Sequence, residues 1–146
     1  MTSIATEPRT AQPQLSNPTF QAFALLRVGF TAAPILFGLD KFAELLADWS
    51  TYLWPSVASV LPGTADQIML AVGVVEIAAG ILVAVRPRIG GYVVAAWLAT
   101  IIVNLLALGD FYDIALRDFG LMLGALTLAR LATAFPAVGF TGRARS

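Results

Sequence analysis

IMLAVGVVEIAAGILVAV, Ile68 to Val85, is an apolar stretch interrupted by a single charge, Glu76. Extended back to Ala65 it makes a helix of 21 residues. At the helical rise that is about 31 Å, the thickness of a bilayer's hydrocarbon core. Thr64 suits the N-cap position and Gln67 can reach back to it as a capping box, while Arg86-Pro87-Arg88 stops the helix. A charge at mid-bilayer costs at least ~2.5 kcal/mol, so Glu76 must face protein or water and have a partner.

The basic residue placed to meet it is Arg27, inside a second apolar run from Phe20 to Leu39. Counted from the same side of the membrane, Arg27 lies ~10 Å deep and Glu76 ~13 Å deep, so the two are expected to pair. The pair reads either as a buried strut between the first two spans or as a proton-handling carboxylate beside a quinone or an ion path. In the strut reading, removing one partner strands the other charge.

Composition points the same way. Hydrophobic residues make up 58% and charged residues 12% of the chain, with mean hydropathy +0.80. A soluble domain is roughly 25% charged. The net charge is zero and no basic patch favours nucleic acid. The chain has no Cys and no His, which removes disulfides, thiol redox chemistry, the usual zinc sites and histidine haem ligation; no metal site is expected.

The pattern predicts an all-α integral membrane four-helix bundle with spans at about 20–39, 65–85, 90–108 and 111–134. Residues 1–19 read as a disordered polar tail that is no cleavable signal peptide, and 135–146 as a short basic tail. Asp110 is expected to cap the fourth helix, with Asp113 in its first turn. Placing both termini in the cytoplasm puts Arg9, Arg27, Arg86, Arg88, Arg130, Arg143 and Arg145 inside, and only Lys41 and Arg117 outside. Phe42, Leu45, Leu46 and Trp49 recur at helical spacing, which predicts a short interfacial helix after the first span. Trp49, Tyr52 and Trp54 suit either an aromatic belt in the headgroup layer or a substrate lid.

Two further polar groups stand out. Asn104, with Thr100 one turn earlier, reads as an interhelical hydrogen bond or a ligand contact. Asp40, Lys41, Asp110, Asp113, Arg117 and Asp118 gather at the outer end, where Asp113 and Arg117 are spaced to pair; the cluster reads as a structural cap or as an entrance for a small anion or a quinone headgroup. Gly73 and Gly80 flank Glu76, and Gly120 and Gly124 form a GxxxG; both pairs suit close helix packing, homodimerisation or docking.

LLRVGFTAAPILFGLDKF, Leu25 to Phe42, resembles the first helix of DoxX-like membrane proteins through Arg27, Gly38 and Lys41. VGVVEIAAGILVAVRPRIGG, Val72 to Gly91, is similar to their second helix through Glu76, Ala79-Gly80 and Arg86, and Tyr112 to Leu131 fits the last. Relatives include the DoxD subunit of thiosulfate:quinone oxidoreductase. The resemblance implies a multi-pass protein of a bacterial inner (plasma) membrane that serves as partner to another protein. Three functions follow. The first is a non-catalytic subunit or scaffold of a redox or energy-transducing complex, with membrane lipids and at least one protein as partners and no cofactor beyond a structural lipid or quinone. The second is a quinone-reactive subunit with Glu76 handling the proton and Arg27, Asn104 or Arg117 orienting the carbonyl. The third is an oligomeric small-solute transporter. An isolated chain is not expected to be an enzyme.

Overall fold

A computed structural model describes residues 16–135, and the two tails, 1–15 and 136–146, lie outside it. Every regular element among the described residues is a helix, without strands. Three helices are long and apolar enough to cross a membrane: α1 (Pro18–Ala43), α3 (Ala65–Val85) and α4 (Pro87–Leu108). A fifth helix, α5 (Tyr112–Leu131), is 20 residues long but carries Asp113, Arg117, Asp118 and Arg130. A short 3-10 turn, Trp49–Tyr52, and a six-residue helix α2 (Pro55–Val60) occupy the connection between α1 and α3.

Local chemistry sets most of these boundaries. Asn17 caps α1 through Thr19 N at 2.9 Å, and Pro18 supplies the fixed φ of a first helical turn. Thr64 and Gln67 form the reciprocal capping box of α3. Arg86 ends α3 and starts α4 at once, so α4 begins at Pro87, three residues before the expected Gly90. Such a tight reversal needs Gly90, because a Cβ there would sit 2.5 Å from the Val83 backbone. At the other end of α4, Gly109 closes the helix in the left-handed region at φ 73.

Three expectations fail here. Asp110 does not cap α5; the cap position is Phe111, at φ 60, with no side-chain cap hydrogen bond. α5 ends at Leu131, and residues 132–134 form turns instead of continuing it. The interfacial helix over 42–49 is also absent. α1 runs on to Ala43, Glu44 turns left-handed at φ 50, and the chain folds back because Asp40 accepts the N–H groups of Leu45 and Leu46 at 3.2 Å.

The long helices pack chiefly as two pairs, α1 with α3 and α4 with α5, joined along α3 and α4. α1 and α3 meet glycine to glycine: a Cβ on Gly38 would lie 2.6 Å from Gly73 O, and one on Gly73 2.7 Å from Gly38 O. Gly80 repeats the close approach beside Thr31 O. On the other pair, Gly91 of α4 lies against Ala125 O of α5. Gly124 meets the Phe30 ring of α1, while Gly120 has nothing beside it.

The two ends of the packed helices differ. Phe20, Phe23, Val83, Val94, Ala125 and Leu128 are buried together in an apolar core, and Phe135 stacks on Phe23 at 5.3 Å. The opposite end carries Asp40, Lys41, Glu76 and Asp118, all buried. Outward faces are apolar: Leu25 is 74% exposed and Leu116 72%, as expected of helices that lipid would cover.

Candidate functional site

Glu76 does not pair with Arg27. Its carboxylate accepts a hydrogen bond from Lys41 Nζ at 2.7 Å, and the two side chains are only 4% and 10% exposed, lysine first. The reason is the register of α1 on α3. Gly38 lies against Gly73 and Ile77, so the level of Glu76 on α1 is near Gly38. Arg27 is eleven residues further down α1. At the helical rise that is about 16 Å away. Lys41, one turn beyond Gly38, reaches back along the helix with its four methylenes, as long basic side chains do.

Arg27 takes a different role. Its guanidinium donates to Ala84 O and lies 5.9 Å from the Phe23 ring centre. Ala84 is in the last turn of α3, whose final carbonyls have no partner within the helix, and a cation there also complements the helix dipole.

Around the ion pair the structure gathers groups from four elements. From α1, Asp40 is buried and accepts from the Trp49 indole Nε1 at 2.8 Å as well as from the Leu45 and Leu46 amides. The Trp49 ring covers the Lys41 ammonium at 3.9 Å. Trp49 and Tyr52 therefore serve this polar centre, Trp49 against Phe37 and Tyr52 against Phe111. From α4, the half-buried Trp97 turns its indole N–H toward the Glu76 carboxylate without reaching hydrogen-bond geometry. From α5, Asp118 is buried close enough to Glu76 for the two charges to interact.

The outer cluster is thus divided. Asp40, Lys41 and Asp118 belong to the buried centre, while Asp110 and Asp113 are exposed. Arg117 does not pair with Asp113; its Nε lies 3.7 Å from Asp118 Oδ1, with the arginine side chain 65% exposed. Asn104 does not join two helices. Its amide donates to Tyr52 O at 2.6 Å and its carbonyl accepts from Trp54 N at 3.0 Å, so it holds the α1–α3 connection onto α4. The Thr100 hydroxyl turns back to Ala96 O.

A groove of about 430 Å³ opens between α3 and α4, lined by Val75, Ala79, Leu82, Val93, Trp97 and Thr100 among others. Glu76 does not line it, whereas Trp97 does. Among the described residues no cluster of Asp and Glu is arranged to hold a metal ion.

Trp97 and the Lys41 pairing carried no sequence signal of their own. Lys41 lies two residues beyond the apolar run that defined the first span, which placed it at the interface. Only the register set by the Gly38–Gly73 contact brings it to Glu76. Comparison with protein-family models, curated proteins and solved structures gave no match to this chain.

Proposed function

We propose that the chain is a DoxX-like, multi-pass protein of a bacterial inner membrane and acts as a non-catalytic subunit or scaffold of a redox or energy-transducing complex. Its four long helices form a bundle with both termini cytoplasmic. The observation that carries this reading is the state of Glu76: a buried carboxylate paired with a buried lysine between α1 and α3, outside the lining of the groove. That is the geometry of a strut. Retaining or losing one partner matters far more than what the pair contributes by itself.

Orientation rests on charge. Among the described residues every acid except the mid-helix Glu76 lies at or toward the Lys41 end, and Arg27, Arg86, Arg88 and Arg130 lie toward the other. Positive residues favour the cytoplasmic side, so the Lys41 end faces out.

A second reading, a quinone-reactive subunit, draws on Trp97, which touches both the groove and the approach to Glu76. The test is purification in mild detergent followed by identification of co-purifying proteins, lipids and quinones. The scaffold reading predicts at least one stable protein partner and no turnover by the chain alone. A monodisperse lone chain that turns over a quinone or a sulfur substrate would overturn it.

A further inference from the structure

The segment between Glu44 and Pro55 crosses the Lys41 end from α1 to α4, and its hold on the helices is slight. No residue of the 3-10 turn or of α2 is buried, and Leu45 and Leu46 are 83% and 68% exposed. Its attachments are mostly polar. Asp40 binds Leu45 N, Leu46 N and the Trp49 indole; Asn104 binds Tyr52 O and Trp54 N; Trp49 meets Phe37 edge-on at 6.2 Å and Tyr52 rests on Phe111 at 4.7 Å. Elements held this way, with little buried apolar area, are the ones that open below the global unfolding energy.

Both flanks of the segment are conformationally loaded. Glu44, where it leaves α1, and Phe111, against which it rests, are the described non-glycine residues with positive φ, at 50 and 60. Side chains rarely adopt that conformation unless their surroundings impose it. Beneath the segment, the Trp49 ring lies over the Lys41 ammonium. Lysine has three N–H donors, of which Glu76 takes one.

We propose that residues 45–54 form a gate over the Lys41–Glu76 pair, with Trp49 as its closing face and Asn104 as its latch. Opening lifts the indole from the ammonium and brings the aqueous phase on that side to a charged pair otherwise sealed in the protein. This goes beyond the strut, which describes the closed state alone, and it stands or falls separately from the identity of any partner complex.

Lys41 is the single lysine of the chain, so an amine-acylating reagent reports on it directly. The full-length protein in lipid nanodiscs is treated with a sulfonated N-hydroxysuccinimide acetate, and acylation of the Lys41 peptide is followed by mass spectrometry, with the detergent-unfolded chain as reference. The folded protein is expected to react slowly, at a rate unchanged by mild denaturant, which marks local opening. Asn104→Leu removes two hydrogen bonds and is expected to raise the rate by roughly 10- to 100-fold. Phe111→Gly accepts the same φ, removes the ring under Tyr52 and is expected to raise it too, which provides a second test should the first variant fold poorly. Leu128→Ala, a core change far from the segment, is expected to leave the rate alone. The gate is refuted if Lys41 in the folded protein reacts as fast as in the unfolded chain. It is equally refuted if acylation follows global unfolding, or if a folded Asn104 or Phe111 variant keeps the parental rate.

Discussion

Lys41 and Glu76 are a lysine and a glutamate that apolar helices would exclude if either stood alone, and each is tolerated because the other is 2.7 Å away. Glu76→Gln is therefore expected to destabilise by about 3–5 kcal/mol, since it strands a buried ammonium. Arg27→Met should act independently of Glu76. Arg27 donates to Ala84 O and lies by the Phe23 ring, far down α1 from Glu76, so the two substitutions should add within about 0.5 kcal/mol. A double-mutant cycle by chemical unfolding in detergent checks this, and coupling above that margin would restore the Arg27–Glu76 pairing. At this scale the sequence showed that Glu76 needs a cation but not which one. Depth counted from the ends of apolar runs ignores register, and register is set by the close backbone approach at Gly38 and Gly73. Asn104 stood out as an amide within an apolar span, yet its partners are backbone atoms of a loop whose path no local pattern encodes.

Among the elements, α3 was legible almost to the residue, because its start is written in Thr64 and Gln67 and its stop in Arg86-Pro87. α1 was not. Its apolar run stops at Leu39, but the helix continues through Asp40 and Lys41, whose charges find tertiary partners. Phe111 likewise gives no sign of a left-handed residue, yet its φ is 60 and its ring packs on Tyr52. Two glycine substitutions separate helix crossing from open surface. Gly73→Val should cost about 1–3 kcal/mol by forcing α1 away from α3. Gly120→Ala, with nothing within 4 Å of the new methyl, should be neutral or slightly stabilising. Thermal unfolding of both variants in one detergent decides it, and equal effects would mean that the Gly38–Gly73 crossing is wrong.

For the molecule as a whole, hydropathy and length sufficed for an all-helical fold over the described residues, with three helices long and apolar enough to cross a membrane. The sidedness remains a proposal resting on arginines. It predicts that, in intact cells, an impermeant thiol reagent labels a cysteine placed at exposed Ser59 and not one placed at Ser146; the opposite pattern would invert the topology. The buried Lys41–Glu76 pair ties α1 to α3 as a strut. Its most direct test is the coupling energy between Lys41→Met and Glu76→Leu, from the unfolding free energies of the parent, both single variants and the double variant in the same detergent. The account predicts that each single change is costly and that the double variant recovers much of the loss, a coupling of about 2 kcal/mol or more. Additive effects, with the double variant as unstable as the two single losses together, would contradict it.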